Sequence, residues 1–317
     1  MLRLEQIENA QKIIYRHMQP SPQMSWPILN QKLQSEAIIK HENTNPTGAF
    51  KVRGGLVLME NLSKKPTING VISATRGNHG QSLALAGQKF NIPVTIVVPH
   101  GNSEEKNAAM RAMGAKLIAH GADFEEARLH ACKLANEQGL TPIAPYMEDL
   151  ICGVATYHYE LLSQNPDIDA YYLPIGMGSG ICSAIMVRDL LGLKTKIYGV
   201  SAEGAPSMYN SFKAGEIQLS DYANSLADGI ATRMVLPEVF EIVKSGAEDI
   251  ILVSDDEIKQ AIKLAWSATH QLLEGAGAAS LAGAYKERTK NKGKKIAITF
   301  SGANIDQALF KQWILAA

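Results

Sequence analysis

Short runs of apolar, largely β-branched residues alternate along this chain with longer stretches in which apolar positions recur every three or four residues. Val71-Ile72-Ser73, Val94-Thr95-Ile96-Val97-Val98, Lys116-Leu117-Ile118, Tyr171-Tyr172-Leu173, Ile197-Tyr198-Gly199-Val200 and Ile296-Ala297-Ile298-Thr299-Phe300 are too short for helices. Their near-continuous apolar character is that of strands buried on both faces. Each leads through a Gly-rich or polar turn into a helical stretch, and that alternation predicts βαβ units, a mainly parallel sheet and so an α/β fold. Helix ends agree. Ser254 followed by Glu257 is a capping box opening a helix whose apolar face takes in Ile258, Ile262, Leu264, Ala265 and Leu272. Ser103 before Glu104 and Glu105 reads as an N-cap with acids in the first turn.

Length and composition narrow the class. At about 150 residues per domain, 317 residues predict two domains. Hydrophobic residues at 46% and charged ones at 20% describe an ordinary globular chain with a large core. Lys and Arg number 31 against 31 Asp and Glu, and no basic run is present. Such a chain has no electrostatic footprint for nucleic acid or an anionic membrane, so its partner is expected to be a small molecule. The opening MLRLEQIENAQKIIYRHMQP lacks the apolar core of a signal peptide. Apolar runs such as Ile92 to Val98 fall far short of the ~20 residues of a membrane helix. Both features predict a cytoplasmic protein. Cys132, Cys152 and Cys182 are too few and too scattered for a disulfide framework or a CxxC site, and read as small core residues. No repeat or flexible linker separates the domains.

In an open parallel sheet, ligands lie beyond the carboxyl ends of the strands. The turns there are glycine-rich. Thr75-Arg76-Gly77-Asn78-His79-Gly80-Gln81-Ser82 follows one strand and opens a helix, where converging backbone N–H groups would fit a carboxylate or phosphate. A tight turn with Asn as helix cap fits equally. Gly176-Met177-Gly178-Ser179-Gly180 follows another strand and has the makings of a phosphate cradle. It is no Walker A loop, and its spacing falls short of a dinucleotide fingerprint. In Gly48-Ala49-Phe50-Lys51-Val52-Arg53-Gly54-Gly55, Lys51 sits at a loop-to-helix junction between apolar neighbours. An apolar pocket would disfavour its charged form, as an amine that makes Schiff bases requires, although a snorkelling surface lysine has the same local sequence. Glu274-Gly275-Ala276-Gly277-Ala278 is read as closing a helix, and Ser301-Gly302-Ala303-Asn304 follows the last strand.

Taken in order, these segments resemble the fold-type II pyridoxal-phosphate (PLP) enzymes, in particular the serine/threonine dehydratase and serine racemase group. The similarity runs from about residue 38 to residue 306. It implies a two-domain fold like the tryptophan synthase β-subunit, with parallel sheets flanked by helices. Residues 1–41 and 148–317 would form a large PLP-binding domain, with a small domain of residues 42–147 inserted in it. Lys51 would hold PLP as a Schiff base and carry the proton at Cα. Asn78 would bond the 3′ oxygen, and Gly176, Gly178, Ser179 and Gly180 the phosphate. Ser301 would face the pyridine nitrogen as a neutral partner, which in this family goes with β-elimination. Phe50 and Glu274 count among the cofactor-binding positions. Thr75, Arg76, Gly77, Asn78 and His79 would hold the substrate carboxylate.

The implied reaction is loss of water from a β-hydroxy amino acid such as L-threonine or L-serine, giving a 2-oxo acid and ammonia. Two departures from the family pattern matter. The racemase carries a serine, its second acid–base group, where this chain has Arg76. A guanidinium is effectively never a base, which disfavours racemisation; its fork suits a second carboxylate, as in 3-hydroxyaspartate. Glu203 matches a carboxylate of metal-binding members, but Gly204-Ala205-Pro206-Ser207-Met208 offers no second acid, which disfavours a metal and leaves Glu203 as its one candidate ligand. The resemblance also implies a homo-oligomer, a dimer first. Rival readings are β-replacement within PLP chemistry, a dinucleotide oxidoreductase, and a non-catalytic binder of an amino acid or nucleotide. The retained Lys51 argues against the binder.

Overall fold

The computed structural model describes residues 2–315. Ten strands form two sheets: β1 (Gln23–Ser25), β2 (Glu36–His41), β3 (Val71–Ala74), β4 (Val94–Val98), β5 (Lys116–Ala119), β6 (Thr141–Pro142), β7 (Ala170–Pro174), β8 (Lys196–Ala202), β9 (Asp249–Val253) and β10 (Lys295–Phe300). One sheet has the order β1-β2-β10-β7-β8-β9, the other β5-β4-β3-β6. Every pair is parallel except β1 against β2. The predicted α/β architecture of parallel sheets flanked by helices is therefore present.

The larger sheet is buried on both faces. Tyr171 and Leu173 of β7 point into one apolar cluster while Ala170 and Tyr172 point into the other, and β10 divides in the same way, Ala297 against Ile296 and Ile298. This two-residue alternation explains why the strands read as unbroken apolar runs. All six predicted strands form. The larger sheet also contains β2, an inner strand, and β9, an edge strand, which the pattern did not bring out. β2 carries Lys40 and His41 at buried positions, which disguise it as a polar segment. Ile250-Ile251-Leu252-Val253 of β9 is a legible apolar run, masked by the helix cap that follows it directly.

Capping is as predicted at two helices. Ser254 Oγ accepts from the backbone N–H of Glu257, and Glu257 Oε2 accepts from that of Ser254 at 2.8 Å. Ser103 Oγ accepts from the N–H of Lys106. Three expectations need correction. The Asp255–Thr269 helix ends at His270, in left-handed backbone (φ 56°), so Leu272 lies outside it and Ala261 and Ala268 complete the buried stripe beside half-buried Leu264. Glu274 does not close a helix but caps the start of the Gly275–Lys286 helix. Its run of small residues shows no apolar periodicity, yet it permits a close crossing: a Cβ on Gly277 would lie 2.0 Å from the Gly302 carbonyl oxygen. Cys152 and Cys182 are core residues, but Cys132 is exposed.

A buried polar group underlies the helix that follows Lys51. Arg53 is fully buried in the Val52–Ser63 helix and donates to Glu42 through Nε (2.7 Å) and to Glu160 through Nη1 (2.6 Å). Lys40 Nζ also donates to Glu160. Two cations thus face two anions out of water. The geometry depends on glycine: a Cβ on Gly153 would lie 2.4 Å from the Arg53 carbonyl oxygen, so the Glu148–Gln164 helix can press against this turn. Among the described residues no helix is long and apolar enough to cross a membrane.

Candidate active site

Between the carboxyl edges of the two sheets lies a cavity of about 800 Å³. Its wall includes Phe50, Lys51, Thr75, Arg76, Gly77, Asn78, His79, Gly176, Gly178, Ser179, Gly180, Glu274 and Ser301, so residues up to 251 positions apart in sequence meet there. Glu203 is exposed and lies outside it. Among the described residues no three metal-ligating side chains cluster.

Lys51 is placed by backbone pairing. The Phe50 N–H donates to the Ser301 carbonyl (3.1 Å), and the Ala303 N–H donates to that of Gly48 (2.8 Å), a left-handed glycine at φ 66°. This short antiparallel link fastens the start of the Val52–Ser63 helix to the end of β10. The Lys51 carbonyl accepts from Ser82 Oγ at 2.6 Å. Its amine lies 4.8 Å from the centre of the Phe50 ring, with no hydrogen-bond or ion-pair partner among the described residues. Burial pushes this amine down to about 8, opposed in part by the charge of Glu274. About a tenth of it is therefore uncharged at pH 7, far more than for a solvent-exposed lysine.

The loop after β3 forms the facing wall. Thr75 Oγ1 accepts from the Gly77 N–H, and the Asn78–Phe90 helix begins at once. His79 is buried, its Nε2 unpartnered, and burial with the nearby Lys51 charge holds it neutral, at about 3. Arg76 is exposed at the mouth and makes no ion pair among the described residues. Gly176-Met177-Gly178 leads from β7 into the Ser179–Leu190 helix, so the positive end of that helix opens on the cavity. Glycine is required at 178: its φ is 92°, and a Cβ there would lie 2.3 Å from Val239 Cγ1. At Gly180 the nearest atom would be Tyr157 Oη at 3.7 Å, so the missing side chain leaves the floor open.

Ser301 is buried, its hydroxyl donating at 3.4 Å to the Ala276 carbonyl. Glu274 Oε1 accepts from Asn78 Nδ2, and Asn78 Oδ1 accepts from Asn304 Nδ2 at 2.8 Å. Both ends of the Asn78 amide are thereby held. Burial raises the Glu274 carboxyl to about 7, with Lys106 pulling it down and Asp228 pushing it up. Lys106 and Asp228 also line the cavity but were absent from the sequence reading, as was any role for Asn304. No short-range pattern marks Lys106, since the partners that give it meaning lie more than a hundred residues away.

A desolvated amine, a helix-end anion cradle and a second polar loop in one cavity suit a ligand carrying both a phosphate-like anion and a carbonyl that condenses with amines. Comparisons with known proteins point the same way. The sequence pattern of the family described as pyridoxal-phosphate dependent enzyme matches residues 14–302. The L-threonine ammonia-lyase of Thermotoga maritima is 33% identical over 96% of this chain and 76% of its own length. The L-threo-3-hydroxyaspartate ammonia-lyase of Saccharomyces cerevisiae is 31% identical over 94% of this chain and 92% of its own. The processed form of threonine deaminase isoform 2 from Solanum lycopersicum superposes with a TM-score of 0.89 at 32% identity, covering 98% of this chain and 93% of that one. Other matched relatives are longer, and the chain spans 49% and 58% of two of them.

Proposed function

This chain belongs to the pyridoxal-phosphate dependent enzymes, and we propose on that premise that it is a dehydratase, converting a β-hydroxy amino acid such as L-threonine or L-serine into a 2-oxo acid and ammonia. The observation that carries the reading is the unpartnered, desolvated Lys51 amine sharing one cavity with the 176–180 cradle. These residues fit pyridoxal 5′-phosphate. Gly180 leaves room that a side chain would fill, the helix end at Ser179 favours an anion, and Ser301 offers a neutral hydroxyl. When bound, the cofactor withdraws electrons from the substrate Cα and so eases loss of its proton.

The chain's own residues do the rest. Lys51 removes the Cα proton, and its depressed basicity keeps it competent near neutral pH. Gly176, Gly178, Ser179 and Gly180 would hold the phosphate and Asn78 the 3′ oxygen, with Glu274 accepting from the Asn78 amide and Phe50 packed beside Lys51. Thr75, Gly77 and His79 bind the substrate carboxylate from the facing loop. Two sheets on opposite sides of the cavity support the division into residues 1–41 with 148–317 and an inserted domain of 42–147. The cytoplasmic location and the homo-oligomer, dimer favoured, rest on the N-terminal sequence and the family resemblance.

Release of 2-oxo acid by the purified protein from L-threonine, L-serine and 3-hydroxyaspartate tests the activity. No release from any of them defeats the dehydratase reading. Gly178→Ala is expected to weaken cofactor retention about tenfold, since forcing a side chain into left-handed backbone against Val239 costs about 1–3 kcal/mol. Equilibrium dialysis measures it.

Arg76 favours a second reading within the same chemistry. Its uncommitted guanidinium at the mouth would receive the second carboxylate of 3-hydroxyaspartate. Arg76→Ala should then lower kcat/KM for 3-hydroxyaspartate by about 10- to 100-fold, the worth of a charged hydrogen bond, while changing that for L-threonine less than about twofold. An unchanged preference removes this reading.

A further inference from the structure

We propose that Lys106 is a positioning residue of this site: it supplies the countercharge that keeps the Glu274 carboxylate as the acceptor of the Asn78 amide, and it ties the two halves of the cavity together. The inference rests on the cofactor site proposed above.

Lys106 lies in the first turn of the Glu104–Ala112 helix, beside the four-stranded sheet. Its ammonium crosses the cavity to Asp228 Oδ2 at 2.6 Å and stands 3.7 Å from Glu274 Oε2. That second oxygen of Glu274 is buried and has no hydrogen-bond partner, so Lys106 is the cation that answers it. The lysine stem runs over the substrate loop, where a Cβ on Gly77 would lie 2.8 Å from Lys106 Cδ. One side chain thus covers Gly77 and neutralises the group that holds Asn78, the next residue. The same helical turn is anchored twice more to the other half. Ser103 Oγ donates to Asp306 Oδ1 at 2.5 Å, and the Gln307 N–H donates to Glu105 Oε1 at 2.8 Å.

The charges that act on Glu274 come from separate elements: Lys106, Asp228 from the irregular segment 215–236, and Lys51 from the opposite wall. Asp306 faces Lys106 rather than Glu274. A neutral Glu274 would be a weaker acceptor, and the Asn78 amide would lose its charge-assisted bond. Because Lys106 favours the ionised form and Asp228 disfavours it, removing either charge must move the titration of Glu274 in opposite directions. A scaffold role for Lys106 would produce no such pair of shifts.

The test compares wild-type holoenzyme with Lys106→Gln, Asp228→Asn and Lys106→Arg. Two readouts are taken: the pH titration of the bound cofactor's visible absorbance, which needs no turnover, and the acid limb of kcat/KM. Lys106→Gln should raise the acid midpoint by about one pH unit, in keeping with the loss of an opposite charge at this range. Asp228→Asn should lower it, and Lys106→Arg should restore the wild-type position. If Lys106→Gln does not fold, the downward shift of Asp228→Asn still decides. A wild-type midpoint in Lys106→Gln, or shifts of the same sign in both neutralising variants, overturns the proposal. Absorbance shifts as described with no 2-oxo acid formed would support it while overturning the dehydratase reading.

Discussion

Lys51→Ala will abolish the visible absorption band of the holoenzyme and lower turnover by about 10³-fold or more, the usual scale for loss of a covalent and proton-transferring group. The reason lies in what surrounds the amine. Among the described residues no other amine in the cavity is both unpartnered and pushed towards its neutral form: Lys106 is engaged by Asp228, and although burial would lower it, the charges of Glu274 and Asp228 outweigh burial and raise it. His79 is neutral, but a ring nitrogen cannot take the place of a primary amine in condensing with a carbonyl. Absorbance of the variant after addition of pyridoxal phosphate, with borohydride reduction of the wild type as control, decides the matter. A variant that keeps a band removable by borohydride would move the cofactor attachment elsewhere.

Glu160→Ala is expected to destabilise the protein by about 3–5 kcal/mol, the scale for breaking a buried ion pair and leaving its partner uncompensated. Arg53 and Lys40, both fully buried, would then share Glu42 alone. Tyr15 would also lose the carboxylate to which its hydroxyl donates at 2.7 Å. At a few degrees per kcal/mol, the melting temperature should fall by roughly 10 °C. Because Arg53 stands two positions after Lys51 at the same helix start, activity should suffer before the protein unfolds. The pH dependence follows from Glu160 itself. Burial alone would raise its carboxyl, but Arg53 and Lys40 outweigh burial and hold it below the ordinary range. A depressed carboxyl contributes stability that is complete above its unfolded value, about 4.3, and is lost as the pH falls below it. Glu160→Gln should therefore lose stability at pH 7 and show a shallower further loss in acid than wild type. Thermal unfolding at pH 7 and pH 4 checks both statements. Equal losses on acidification in the two proteins would show that Glu160 carries no such linkage.

How much was legible can be followed residue by residue. Lys51, Asn78, the 176–180 loop and Ser301 were visible as chemistry because each sits in a turn after a strand or before a helix, where glycine and polar residues break an apolar run. Their individual signals were ambiguous, and their order along the chain brought out the resemblance. Glu274 was found but placed at the wrong end of a helix, since glycine and alanine carry no apolar stripe to show where a helix begins. Strand β2 escaped notice because Lys40 looks solvent-exposed until Glu160, 120 residues later, is known to meet it.

The sequence by itself determined the alternation of strand and helix, the caps and the glycine turns, because these depend on residues within a few positions of one another. Tertiary structure alone decided the charge states and the partners. Lys106 meets Asp228 across 122 residues, Asn78 meets Glu274 across 196, and Ser103 meets Asp306 across 203. Burial, together with the charges it brings into contact, shifts Lys106 and Glu274, and burial is a property of the packed chain rather than of any segment of it.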